Sequence, residues 1–343
     1  MYESFYALTG KPFQLNPDPA FFFASRGHRR AFAYLQYGVH QSEGFIVITG
    51  EIGAGKTTLV RNLFEQLDRS QLVAAQLVST QLDADDMLRS IAVAFGLNVK
   101  SVDKATLLAS LEAFLCQLAV SQKRALLVVD EAQNLTPRAI EELRMLSNFQ
   151  LGEQALLQSF LIGQPELRQM MQGSEMQQLR QRVIASYHLG PLDKTETQAY
   201  IEHRLTHVGW SGDPQFEPGA LELIHTASAG IPRRINTLCN RLMLAGFLGE
   251  KHVFGVNDVQ QIAHEISEEL GPEAALARIP AAAAALKLAS TASPVESTAW
   301  LAHFRDIEER LGRVEKTMGS ALRLLQRLLG SEHMSKPGTP ARR

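Results

Sequence analysis

Cysteine is scarce: only Cys116 and Cys239 occur in 343 residues. They fall in helical patterns far apart in the chain. That is too few and too scattered for a disulfide framework or a cysteine-based metal cluster, and it points to a reducing cytoplasm. Neither sign of charge is in excess, because 34 Lys and Arg stand against 36 Asp and Glu, a net charge of −2. No global field draws the chain towards nucleic acid, although a local basic patch stays compatible with that balance. Long apolar runs are also missing. The nearest candidate, the alanine-rich stretch from Ile279 to Leu288, is interrupted by Pro280 and Lys287. It falls short of the roughly 18 consecutive apolar residues a membrane helix requires. The opening MYESFYALTGKPF has no basic-then-apolar pattern of a secretory leader. What remains, with 45% hydrophobic residues, is the profile of a soluble globular chain long enough for one domain and an appendage.

The most informative positive feature is Gly50-Glu51-Ile52-Gly53-Ala54-Gly55-Lys56-Thr57, followed by Thr58. It satisfies the phosphate-binding pattern GxxxxGK[ST] at every fixed position. Its flanks agree with it: FIVIT (Phe45 to Thr49) reads as a short buried strand, and TLVRNLFEQL reads as an amphipathic helix. Strand, glycine-rich loop and helix in that order direct backbone N–H groups and a helix N-terminus at one anion. Lys56 then reaches the outer phosphates, and the Thr57 hydroxyl is placed to hold Mg²⁺. The alternative is a chance glycine loop ahead of a helix, and the flanking pattern argues against it.

A second motif lies downstream. Ala125 to Glu131, ALLVVDE, is an apolar run closed by two acids. Such a run reads as a buried parallel strand with its acids at the carboxyl end, where open α/β sheets bind ligands. Asp130 is the candidate magnesium residue, acting through water, and Glu131 the candidate that polarises the attacking water. The bland reading makes both acids the solvated start of a turn near Pro137.

Around these motifs the chain alternates apolar runs with helical periods, which predicts an α/β fold with a five-stranded parallel sheet. The expected strands are Phe45–Thr49, Val73–Val78, Ala125–Asp130, Ser159–Ile162 and Ile184–Leu189. Residues 1–190 are assigned to this nucleotide-binding layer and residues 191–268 to an all-helical segment broken near Gly209–Pro214 and Gly230–Pro232. An Ala/Pro/Ser-rich linker follows over 269–298. Over 299–330, Trp300, Phe304, Ile307, Leu311, Val314, Met318, Ala321, Leu325 and Leu328 repeat at alternating steps of four and three. That is the seam of a coiled coil, with Arg310 and Glu315 at flanking positions where opposite charges can pair between chains. A helix packed on its own chain is the other option. The tail 331–343 reads as disordered.

The two nucleotide motifs followed by a helical segment resemble an AAA+ ATPase, a P-loop three-layer domain with a helical lid. Phe5-Tyr6, PFQLNPDPAFFF (Pro12 to Phe23), His28, GFIVITGEIGAGKTTL, VVDEAQNL, LIGQPEL, LRQRVIASYHL and GIPRRIN look like the ExeA/GspA and MshM group of secretion ATPases. QLVSTQLDADD and RLTHVGWSGDP are most similar to members from exosortase (XrtA, PEP-CTERM) loci. The resemblance covers roughly residues 1–268.

The resemblance implies ATP and Mg²⁺ as cofactors, and it implies roles for further residues. Gln164 would be the polar sensor facing the γ-phosphate or water. Arg182 or Arg180 would be a finger acting on a neighbouring subunit's nucleotide, a task suited to a fixed delocalised cation. Arg233 would reach from the lid to the phosphates, while Arg234 beside it points elsewhere. Ile231, Pro232, Phe22 and His28 would flank adenine, with a capping or packing histidine as the other option for His28. The implied partners are other copies of the chain, a hexamer among the options, and an envelope export machine engaged through the coiled coil. The implied location is the cytoplasm, at the inner membrane through a partner. A DNA-associated switch, of transposition-helper or initiator type, is the runner-up. Larger group members continue into a membrane span and a peptidoglycan-binding domain, for which these residues show no pattern.

Overall fold

The computed structural model describes residues 2–16, 18–78, 83–99 and 103–270. The expected heptad segment, the tail and the linker beyond residue 270 lie outside the described residues. Five parallel strands form one sheet: β1 (Phe45–Gly50), β2 (Leu72–Val78), β3 (Arg124–Asp130), β4 (Leu157–Gly163) and β5 (Val183–Leu189), in spatial order β2-β3-β4-β1-β5. All five expected strands are present. β4 and β5 begin slightly earlier than their hydrophobic runs suggested, because Leu157 and Val183 already pair with Ala125 and Phe45.

The chain leaves β1 and crosses to the far edge before returning through β3 and β4. The carboxyl ends of β3, β4 and β1 are therefore immediate neighbours. A parallel sheet covered on both faces explains why these strands read as unbroken apolar runs rather than alternating ones. Every residue of β1 and β4 is buried.

Helices α1 (Arg26–Gln41) and α2 (Lys56–Gln66) cover one face, where Leu35, Leu59 and Leu63 pack on Ile46, Ile48, Phe160 and Ile162. On the other face lie α3 (Ala84–Ala94), α4 (Lys104–Val120), α5 (Pro137–Leu146) and α6 (Pro165–Gln172). Met87, Leu111, Ile140 and Leu167 meet Val47, Leu127, Val129 and Leu161 there. Each such buried side chain contributes about 1.5–3 kcal/mol of transfer free energy.

The helical segment comprises α7 (Lys194–His207), α8 (Pro218–Ser228), α9 (Pro232–Leu248) and α10 (Val256–Leu270). It is not wholly helical. Gln215–Phe216 and Val253–Phe254 form a short parallel pairing, too brief to leave a periodic signal. Its core also takes residues from the chain's start. Tyr2, Tyr6 and Phe13 are buried among Ile201, Leu205, Ile235, Leu242 and Phe254. Tyr6 donates to the Lys251 carbonyl at 3.0 Å. Buried Arg204 donates to the carbonyls of Pro12 and Gln14 and lies 4.6 Å from the Phe21 ring centroid. Sheet and helical segment cluster together as one unit, Met1–Ile266.

Candidate nucleotide site

The glycine loop turns out of buried β1 and runs straight into α2, whose N-cap is Gly55 in the left-handed region (φ 99°). Most helices of the sheet layer have a side-chain N-cap: Ser25, Asp83, Asp103 and Thr136 accept first-turn amides of α1, α3, α4 and α5. No side chain caps α2. Its first-turn N–H groups and its dipole are left for an anion. Lys56 is 6% exposed, and its Nζ donates to the Gly50 carbonyl at 2.7 Å and the Glu51 carbonyl at 3.0 Å. Burial pulls its pKa below the usual lysine value, with Glu131 and Asp130 opposing that shift. An incoming phosphate oxygen would replace two neutral carbonyls with a full opposite charge.

Asp130 and Glu131 stand at the end of β3, beside this loop. The Thr57 hydroxyl donates to Asp130 Oδ2 at 3.1 Å, and the Glu131 backbone N–H donates to Oδ1 at 3.0 Å. Asp130 is 3% exposed. Burial raises its pKa, and so does the charge of Glu131. A hydroxyl and a carboxylate make an all-oxygen pair that suits a hard cation. Among the described residues no group of three or more His, Cys, Asp or Glu could hold a metal. Mg²⁺ held by few protein oxygens and by phosphates fits what is present.

Glu131 adopts left-handed backbone (φ 54°, ψ 38°), which costs an L-residue about 1–2 kcal/mol. Its Oε2 accepts from Gln164 Nε2 at 3.0 Å and from Gln133 Nε2 at 2.6 Å. Burial pushes its pKa up, but those two hydrogen bonds and the Lys56 charge outweigh it, so the net shift is downward. The carboxylate is therefore held ionised.

The lid closes directly on the loop. The Arg233 backbone N–H donates to the Gly53 carbonyl at 3.1 Å. A Cβ on Gly53 (φ 82°) would lie 2.3 Å from Arg233 Cβ, so only glycine permits both the turn and the contact. The cavity formed here is lined by Gly53, Gly55, Lys56, Thr57, Thr58 and Glu131 from the sheet layer. Tyr200, Pro232, Arg233 and Asn236 line it from the lid, and Phe21 to Phe23 from the chain's start.

The structure thus brings together Lys56, Thr57, Thr58, Asp130, Glu131, Gln164 and Arg233. Gly50, Glu51 and Ala54 are not among the lining residues, and their carbonyls engage Lys56 and His28. Arg180 and Arg182 are absent from the cavity lining. Arg180 closes the short helix Gln177–Arg180, and Arg182 immediately precedes β5. Arg182 donates to the Ser147 carbonyl, to Ser147 Oγ and to Asn148 Oδ1. Arg180 donates to the carbonyls of Met171 and Gly173.

His28, one of the residues the resemblance places beside adenine, has both ring nitrogens engaged. Nδ1 meets Ser25 Oγ at 2.7 Å, and Nε2 meets the Ala54 carbonyl at 3.0 Å. It braces the loop through these bonds and also lines the cavity beside Phe22 and Pro232. Gln133 was missed: it belongs to DEAQNL, but a lone amide carries no charge or spacing signal of its own.

A pH dependence follows from His28. Burial lowers its pKa, with the Ala54 carbonyl opposing. The unfolded chain, with a histidine near pH 6.5, takes up the proton first as pH falls. Stability contributed by neutral His28 is therefore complete above that value and is lost as pH falls below it. His203 and His225 are lowered for the same leading cause, burial. The melting temperature should drop between about pH 7.5 and 5.5, and His28→Gln should flatten part of the drop. An identical slope in the variant would remove His28 as a contributor.

The sheet order, the loop after β1, the acids ending β3 and the helical lid together decide the fold. This is an AAA+ fold. Residues 39–171 match the family model described as AAA domain. The chain is 39% identical over 269 residues to General secretion pathway protein A of Aeromonas hydrophila, covering 78% of this chain and 49% of that protein. It spans about half the length of that relative. Among solved structures, the Aeropyrum pernix ORC2 protein in its ADP form superposes with a TM-score of 0.56 at 18% identity, over 74% of this chain and 72% of that one. Cdc6p from Pyrobaculum aerophilum gives 0.55 at 15% identity, over 76% and 74%. At such identities the likeness speaks for the AAA+ fold alone. Among the described residues no helix is long and apolar enough to cross a membrane.

Proposed function

We propose that this AAA+ chain binds ATP with Mg²⁺ and hydrolyses it to drive or gate assembly of a cell-envelope export machine. The observation that carries the chemistry is the meeting of Lys56, Thr57, Glu131 and Arg233 at one cavity between sheet and lid, with Asp130 bonded to Thr57 and Gln164 to Glu131 just behind its wall. The uncapped start of α2 and the Lys56 ammonium receive the phosphates. Thr57, and Asp130 through water, would hold Mg²⁺, which when bound supplies charge neutralisation. Glu131, kept ionised, accepts the proton of the attacking water. Gln164 orients that carboxylate and the water. Arg233 couples the phosphates to the lid, and an arginine of a second copy completes the site.

The metal assignment has its own test. Turnover should require Mg²⁺, and chelation should abolish it. Thr57→Ala should raise the Mg²⁺ concentration for half-maximal rate by about tenfold, the value of one charge-assisted contact. An unchanged Mg²⁺ dependence in Thr57→Ala would remove that hydroxyl from the metal site.

The export setting is supported by the likeness to General secretion pathway protein A. The finer reading, an exosortase and exopolysaccharide locus, rests on QLVSTQLDADD and RLTHVGWSGDP. Loss of this chain should arrest passage of an exported product across the envelope, and a copy carrying Glu131→Gln should not restore it. Normal export without the chain would refute the setting while leaving the chemistry intact. Chromosomal neighbours for exosortase or polysaccharide export would support the finer reading, and their absence would count against it.

A further inference from the structure

The acid at the end of β3 and the loop after β4 are joined by one side chain. Gln133 lies on the short turn Ala132–Asn134 that follows Glu131. Its Nε2 donates to Glu131 Oε2 at 2.6 Å, and its Oε1 accepts the Gln164 backbone N–H at 2.9 Å. The chemistry of the partners fixes the orientation of the amide: a backbone N–H can only donate, and an ionised carboxylate can only accept. A single side-chain amide thus supplies one donor and one acceptor to those two groups at once. The backbone has made room for it. A Cβ on Gly163, the last residue of β4, would come within 2.9 Å of Gln133 Oε1 and 2.8 Å of Leu167 Cδ2. A side chain at 163 would displace the bridge.

We propose that Gln133 is a positioning residue for ATP hydrolysis, tying the Glu131 carboxylate to the end of β4 so that Glu131 and Gln164 face the attacking water as one rigid pair. This rests on the hydrolytic reading above and extends it to a residue with no direct contact to nucleotide. Glu131 needs such support because its left-handed backbone has little intrinsic preference for that conformation. Gln164 Nε2 reaches the same carboxylate oxygen. Gln133 therefore acts twice on this pair, once on the acid and once on the backbone that carries the sensor amide. Its loss should lower kcat and leave ATP affinity in place, because Lys56, Thr57 and the loop amides do not depend on it.

The test uses the full chain, with Gln133→Met and Gln133→Glu beside the parent and Glu131→Gln. Met matches the size without either hydrogen bond. Glu keeps the acceptor for Gln164 but sets a second carboxylate against Glu131. Losing a hydrogen bond to a charged group corresponds to a fall of about 10- to 100-fold in kcat for Gln133→Met, with KM for ATP within about threefold of the parent. A second readout does not depend on turnover. The ¹H–¹⁵N signal of the Gln164 backbone amide, which donates to Gln133 Oε1, should move in Gln133→Met and stay near its parent position in Gln133→Glu.

An unmoved Gln164 amide signal in Gln133→Met overturns the bridge. Unchanged kcat overturns the positioning role, whatever KM does. If parent and Glu131→Gln hydrolyse ATP at one rate, the hydrolytic assignment of Glu131 fails and the positioning role falls with it. The Gln164 amide signal then decides whether the bridge itself exists.

Discussion

Glu131→Gln should bind ATP within about threefold of the parent and turn it over at least 10²–10⁴-fold more slowly, the usual contribution of a positioned general base. The substitution keeps size, and the new amide oxygen can still accept from Gln133 and Gln164. What disappears is the negative charge that those two amides and Lys56 hold ionised. Lys56→Ala is the opposite case. The loop keeps its amides, but the charge that now rests on the Gly50 and Glu51 carbonyls is gone, so nucleotide binding itself should fail. Calorimetric titration with ATP and a phosphate-release assay on the three proteins separate the two effects. Parent-rate turnover by Glu131→Gln would show that another group activates the water, and retained tight binding by Lys56→Ala would displace the loop lysine from the phosphates.

The contrast between these two variants reflects what the sequence makes readable. Lys56, Thr57, Asp130 and Glu131 are legible because a glycine-rich turn and a strand ending in acids are local events with strong composition signals. The five strands were legible for the same reason, since strands buried on both faces write themselves as unbroken apolar runs. Four features were not. Gln133 acts through a contact to β4 that sequence spacing cannot express. His28 carries a residue type that suits both a base pocket and a buried brace, and only the structure shows that it bonds to Ser25 and Ala54 while also lining the cavity. Tyr2, Tyr6 and Phe13 are far in sequence from α9 and α10, yet they complete the core those helices share. Arg204 is a similar case. A charge in the middle of α7 reads as a solvated face, but here it is buried against carbonyls from the chain's start.

The second large effect concerns the arginines just before β5. Neither reaches the cavity of its own chain, which is where a residue acting on a neighbour's nucleotide would stand. Their local bonding separates them. Arg182 is held by Ser147 and Asn148 through three hydrogen bonds, an anchoring pattern between the end of α5 and the start of β5. Arg180 is exposed, and the bonds described for it leave from Nη1 alone, to two carbonyls. Arg180→Ala should therefore lower turnover at saturating ATP by about 10³–10⁵-fold, as loss of an arginine finger does, with nucleotide binding unchanged and a smaller fall in melting temperature than Arg182→Ala shows. Arg182→Ala should lower the melting temperature by several degrees, because about 1–3 kcal/mol of hydrogen bonding is lost. Mixing Arg180→Ala with Lys56→Ala should restore activity to neither homogeneous preparation's level but to a higher one, since one copy supplies the intact loop and the other the intact arginine. If mixed assemblies are confirmed by mass and no ratio restores turnover, neither protomer completes its neighbour's site through Arg180. Rescue obtained with Arg182→Ala instead would move the trans role two residues along the chain.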